Sequence, residues 1–474
     1  MQVEAALFSL PLIVSIIYRE PHFWAFIVSA AISLAIGFAL TLLSRPQKKN
    51  LFVKEGFVIV ALSWTLMSVV GCLPFFISGE IPNFVDALFE TVSGFTTTGA
   101  SVLTEPGMAV TVETLSRGML FWRSFTHFIG GMGVLVLVMA ILPIEGSKSI
   151  HLMRAEMPGP IVGKLVPKAK STALILYIIY VAMTAIEAIL LLFGGMSVFE
   201  SLCLAFGTAG TGGFAPLMSS INSYSSYIQW VITAFMFLFG VNFNLYYLIL
   251  VGKIGQVIKS RELWCYCGIV VTSVSIICAN IFNTCNGFGD ALRTSAFNVA
   301  SYMSSTGYGT VATNEWPYLS KAILVILMFV GACAGSTGGG LKVSRVMMLF
   351  KIMRRDLKKT LHPRQVSLLT FEGKKVDDQT ISNVSSYFLV YLVIFAAVCF
   401  ALTLEPMFDF EAAFTATLSC LNNIGPFFSA TASVASYANF SIFAKILLTV
   451  TMLFGRLEIY PMLFALSPST WMEK

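Results

Sequence analysis

Apolar runs long enough to cross or nearly cross about 30 Å of hydrocarbon fall at 5–17, 23–43, 57–79, 118–142, 172–193, 226–251, 264–282, 318–350, 384–404 and 438–466. Ten crossings return the chain to the side on which it started. Between the third and fourth, fifth and sixth, seventh and eighth, and ninth and tenth runs lie half-apolar stretches, too short to span, each leading directly into a glycine-centred loop. They predict re-entrant pore helices. The loops read TTTGA (Thr96–Ala100), GTGGF (Gly210–Phe214), SSTGY (Ser304–Tyr308) and NNIGP (Asn422–Pro426).

Aligned on Gly99, Gly213, Gly307 and Gly425, the four segments keep one register. Six residues earlier stand Ser93, Gly207, Ser301 and Ser419, all small, and Asp86, Glu200, Asp290 or Glu411 opens each preceding helix. A carboxylate in a first helical turn is favoured by the dipole there, so these four are either caps or cation attractors. The repetition predicts an all-α polytopic membrane protein: residues 1–50 form two N-terminal helices, and 51–150, 151–255, 256–360 and 361–474 form four pseudo-symmetric membrane-pore-membrane repeats around one pore.

Composition fixes the class. With 57% hydrophobic and 11% charged residues and a mean hydropathy of +0.82, the chain is far from a soluble globule, whose charged fraction is about a quarter. Nine cysteines lie mostly singly in apolar sequence, and the close pair Cys265 and Cys267 lacks a second half for zinc, so they read as reduced core residues. The first run has no basic stretch before it and no small-residue cleavage site, which predicts a retained helix rather than a signal peptide. Of the 30 lysines and arginines, 22 sit in 45–54, 148–170, 253–261 and 342–375, all on one side of the ten-span arrangement. The positive-inside rule makes that side, with both termini, cytoplasmic. The opposite connections carry Glu80, Asp86, Glu105, Glu113, Asp290, Glu315, Glu405, Asp409 and Glu411, which predicts an acidic outer vestibule.

Irregular backbone at membrane depth is tolerated only when buried or lining a water-filled path, and rings of carbonyls can replace a cation's water shell. The expected cation-binding residues are therefore Thr97, Thr98, Gly99, Thr211, Gly212, Gly213, Ser305, Thr306, Gly307, Asn423, Ile424 and Gly425. The plainer alternative is four tight turns. A second glycine-rich stretch, Gly335, Ser336, Thr337, Gly338, Gly339 and Gly340, cannot hold a regular helix well and is expected about 25 Å along the helix that starts near Tyr318. It predicts a gating loop, with a packing kink as the alternative; as a phosphate loop it is weak, because no strand precedes it and its lysine does not follow the last glycine. Arg456 is expected at similar depth, where a charge costs at least about 2.5 kcal/mol. It either constricts the path with that loop or pairs with Glu458 or Glu187. His127, near Arg123 and the Gly130–Gly133 run, reads as helix packing, and Arg354–Lys375 as a contact for lipid headgroups or a cytosolic partner. No hydrolytic triad, dinucleotide fingerprint or nucleic-acid-binding module is visible.

The motifs SGFTTTGAS, GTGGF, SSTGYGT, LNNIGP, GACAGSTGGGLKVSR (Gly331–Arg345), RAEMPGP (Arg154–Pro160) and GRLEIY (Gly455–Tyr460) resemble those of the bacterial TrkH/TrkG potassium-uptake subunits, part of the Trk/Ktr/HKT group. The resemblance covers nearly the whole chain. It implies potassium as the transported ion with no covalent cofactor, a homodimer with one pore per protomer, a cytosolic TrkA-type nucleotide-binding ring as gating partner, and the bacterial inner membrane as the setting. Glycine at all four filter centres goes with potassium preference in this group, whereas serine in the first loop marks sodium-selective relatives. Symport of potassium with sodium or protons stays open as an alternative.

Overall fold

The computed structural model describes residues 1–43, 53–103, 110–133, 169–362, 364, 368–406, 408–429 and 436–472. The RAEMPGP block, Glu105 and most of the basic clusters at 45–54 and 148–170 lie outside these residues. Helices dominate, and the strand content among the described residues is one antiparallel hairpin pairing Thr370 with Lys375 and Phe371 with Lys374.

The four half-apolar stretches are helices: Phe84–Phe95, Val198–Gly210, Phe288–Ser304 and Phe410–Asn422. Three begin on a side-chain cap, with Asn83, Ser197 and Asp409 accepting main-chain N–H bonds from Val85, Glu200 and Ala412. Each pore helix packs against the outer helix of the repeat before it. Arg117–Met132 lies on the second, Ser226–Phe239 on the third, Tyr318–Val330 on the fourth, and Ile442–Arg456 returns to the first. That last contact closes the cycle.

The N-terminal helices Gln2–Leu7, Ser9–Ile17 and Trp24–Leu43 pack outside this ring, with Phe8 against Trp122 and Ser33 Oγ donating to Met1 O. Buried Ser29, Ser33 and Gly37 let backbones approach there, as small residues do between membrane helices. Large apolar side chains such as Ile178, Phe193, Val271, Leu389 and Phe400 face outward, while the centre collects serine, threonine and asparagine. This distribution suits lipid outside and a polar path inside. All nine cysteines are free.

Five helices are long and apolar enough to span among the described residues, six if one bent pair counts. Three of the ten apolar runs are interrupted spans, and for 318–350 the glycine-rich stretch predicts the break. Run 226–251 turns by 91° between Ser226–Phe239 and Phe243–Leu250, where a side chain on Gly240 would collide with Tyr266 and Asn242 caps the second helix. Run 318–350 breaks into Tyr318–Val330 and Val343–Leu361. Run 438–466 breaks after Arg456, with Glu458 and Ile459 at φ 58° and 65°.

Candidate functional site: a ring of four loops

All four pore helices deliver their C-terminal ends to one place. Just past each end one residue is left-handed: Thr97 (φ 55°), Thr211 (55°), Ser305 (61°) and Asn423 (54°). Two residues on, Gly99, Gly213, Gly307 and Gly425 also have positive φ, from 75° to 101°. Alternating the sign of φ along a strand turns successive carbonyls toward the same side, and at non-glycine positions it stores roughly 1 kcal/mol or more each. Between those two residues, the N–H of Thr98, Gly212, Thr306 and Ile424 donates to the carbonyl of Ser93, Gly207, Ser301 and Ser419 at 2.8–2.9 Å. This six-to-one closure of a helix end falls at the four small residues that keep one register in the sequence. At Gly207, for example, a side chain would strike the Tyr308 hydroxyl.

The loops meet in cyclic order. A Cβ on Gly99 would fall less than 3.0 Å from Gly212 O, on Gly213 from Thr306 O, on Gly307 from Ile424 O, and on Gly425 from Thr98 O. Each of these loop glycines thus abuts the middle carbonyl of the next repeat, and the fourth abuts the first. Converging helix C-termini add negative potential at the same point, equivalent to about half a charge each. Of the twelve loop positions, those that carry a side chain are all buried.

Differences between repeats are confined to what braces the ring. Thr96 and Thr98 hydroxyls pair at 2.8 Å, and Ser304 and Thr306 pair at 2.7 Å. Asn423 instead donates from Nδ2 across the repeat boundary to Thr98 Oγ1 (2.9 Å) and to Met452 O (3.0 Å). Tyr437 donates to Gly425 O and Tyr308 to Leu204 O. His127 joins the first two repeats, with Nδ1 2.7 Å from Gly94 O and Nε2 3.3 Å from the Phe214 N–H. Its role is packing behind the loops.

A buried ion pair lies outside the ring. Arg123 Nε sits 2.6 Å from Glu90 Oε1, and the arginine also donates to Ala215 O and stacks 3.5 Å over Phe214. Glu90 accepts from Ser101 Oγ and Val102 N, so one pair fixes the exits of two loops. Sequence pattern does not single out Glu90 as the loop glycines are singled out. One signal does exist: opposite charges in two intramembrane segments are expensive unless they meet.

The glycine-rich break is longer and closer than expected. It begins at Gly331, ends at Lys342 (φ 75°), and lies directly beneath the ring. Gly338 abuts Ser304 O, Gly339 abuts Asn422 O, and Gly339 N donates to Ser305 Oγ at 2.5 Å. Arg456 donates to Thr337 O (3.0 Å), Gly131 O (2.7 Å) and Gly130 O. It therefore ties the loop to the end of the first repeat's outer helix. Neither carboxylate considered for it is its partner: Glu458 pairs with Arg345, which stacks 4.1 Å over Tyr387, and Glu187 is buried beside Thr208.

The acidic residues at the pore-helix starts are occupied. Asp86 pairs with Lys445 at 2.7 Å, Glu411 with Lys321 at 3.0 Å, Asp290 with Arg293, and Glu200 completes a capping box with Ser197. Of the two alternatives for these four carboxylates, caps and pairs describe the contacts they make.

This arrangement recurs in known proteins. The family model TrkH, described as a cation transport protein, matches residues 22–266 and 269–474. The chain belongs to the TrkH family. The Trk system potassium uptake protein TrkH of Salmonella typhimurium is 36% identical over 98% of this chain and 95% of its own length. TrkG of Escherichia coli K12, also a Trk system potassium uptake protein, is 33% identical over 97% and 94%. The crystal structure of the potassium transporter TrkH from Vibrio parahaemolyticus superimposes with a TM-score of 0.87 at 29% identity, covering 99% of this TrkH-family chain and 97% of that one. The all-helical polytopic membrane fold follows.

Proposed function

We propose that this protein takes up potassium across the bacterial inner membrane, both termini cytoplasmic, by a gated channel-like path. The observation that carries the reading is the cyclic packing of each filter glycine on the next repeat's carbonyl. An ion entering past the pore helices loses its water to carbonyls of Thr97–Gly99, Thr211–Gly213, Ser305–Gly307 and Asn423–Gly425, in a field made negative by four helix C-termini. Rigid bracing of the ring favours an ion of one size. Below it, the ion meets Thr337 and the Arg456 guanidinium, which repels it until the Gly335–Gly340 loop moves. The names of the relatives support potassium as the ion. In this proposal two protomers, each with its own pore, associate with a cytosolic TrkA-type nucleotide-binding ring that moves the loop.

Purified protein in liposomes should pass potassium down its own gradient, with sodium excluded. Flux that needs a sodium or proton gradient would instead favour symport. One observation keeps that second reading: the Glu187 carboxyl is fully buried beside Thr208 of the second pore helix and has no cation partner among the described residues, as suits a proton-carrying acid. Glu187→Gln should leave potassium flux in place under the channel reading and abolish proton-coupled flux under the other.

A further inference from the structure

On the face where the basic residues gather, a cavity of about 680 Å³ opens beside the intramembrane loop. Its walls are the bent segment Phe243–Ile258, the start of the span at Arg261, Ala334 and Ser344 at the two ends of the loop, and the hairpin tip at Glu372. Two carboxylates line it, and both are engaged by main-chain N–H groups. Glu372 accepts from Glu262 N at 2.9 Å, and Glu262 accepts from Ala334 N at 2.8 Å. Two cations line it as well. Lys259 and Arg261 are exposed and enter no ion pair or hydrogen bond among the described residues. Deeper in, Asn244 Oδ1 has no hydrogen-bond partner within 3.5 Å, while Ser344, only 2% exposed, lies beside the Glu262 carboxylate. Around the mouth, Leu250, Ile254, Ile258 and Trp264 present bare apolar surface, and Trp264 Nε1 donates to Ile258 O at 2.7 Å, the placement of an interfacial tryptophan.

We propose that this cavity binds the headgroup of an anionic phospholipid and that the bound lipid loosens the intramembrane loop. The phosphate sits between Lys259 and Arg261, a headgroup hydroxyl donates to Asn244 Oδ1, and the acyl chains lie over Ile254, Ile258 and Trp264. Basic pockets between membrane helices take such headgroups. A phosphate at Arg261 stands next to the Glu262 carboxylate, and repulsion between them weakens the hold of Glu262 on Ala334 N. Flux should rise.

The effect on flux rests on the transport reading above; lipid retention does not. Wild-type protein is reconstituted in phosphatidylcholine vesicles with and without phosphatidylglycerol, and lipids retained by the detergent-purified protein are counted by native mass spectrometry. The expected result is faster flux with phosphatidylglycerol and retained phosphatidylglycerol, with retention weakened about tenfold or more in K259Q/R261Q. K358Q/K359Q, on the exposed end of Val343–Leu361, should retain lipid as wild type does. Equal retention by wild type and K259Q/R261Q overturns the site. Full stimulation by soluble glycerol phosphate in phosphatidylcholine vesicles overturns the lipid as its occupant. Lipid-dependent retention lost in K259Q/R261Q, with no potassium flux in any vesicle, would uphold the site and refute the transport reading.

Discussion

The four filter glycines have two independent reasons to lack a side chain. Each holds a positive φ, and each faces a neighbouring carbonyl less than 3.0 Å from where a Cβ would stand. Gly213→Ala must push the Thr306 carbonyl out of line, and potassium-over-sodium selectivity in liposome flux should fall by about tenfold or more, equivalent to a loss of roughly 1.4 kcal/mol in discrimination. Behind the ring, Arg123→Leu strands the Glu90 carboxylate in a dry site, which costs about 3–5 kcal/mol. Thermal unfolding in detergent should show that loss, and the double variant E90L/R123L should recover most of it. These residues differ in how far the linear chain reveals them. The four converging loops are legible because four copies share one register, and Ser93, Gly207, Ser301 and Ser419 stand at the helix closures. Glu90 is not legible in the same way, because its partner is 33 residues away and only the third dimension brings them together.

At the scale of elements, interruptions matter more than spans. The runs at 226–251 and 438–466 look continuous because hydropathy does not register a bend, whereas the glycine-rich stretch in 318–350 announces its break in the sequence. Their breaks lie at Gly240–Asn242, Gly331–Lys342 and Leu457–Ile459. The helix that follows the Gly331–Lys342 break is joined to the break at Leu457–Ile459 by the Arg345–Glu458 pair, while Arg456 fastens the loop to the first repeat. Releasing that fastening should open the path. Arg456→Ala, or removal of Gly338–Gly340, is expected to raise potassium flux several-fold in the absence of a cytosolic partner. Wild-type flux in both variants would place the gate elsewhere. Capping is a smaller effect: Ser197→Ala removes the hydroxyl that starts the second pore helix and should lower thermal stability by about 1 kcal/mol, with the filter intact.

Across the whole molecule, each outer helix supports the next repeat's pore helix, so the pore is a closed cycle made from a linear chain. The most distant junction in sequence, Asn423 to Thr98, is also the one with a side-chain hydrogen bond directly between filter loops. Closure holds four imperfect repeats around one centre: each loop is positioned by its neighbour, and the last by the first. Anomalous diffraction from crystals grown with thallium, a potassium mimic, tests this most directly. The peak should lie on the axis shared by the carbonyls of Thr98, Gly212, Thr306 and Ile424. A thallium-conducting protein with no peak there, or with its peaks outside the four loops, would contradict a carbonyl ring as the site of ion selection.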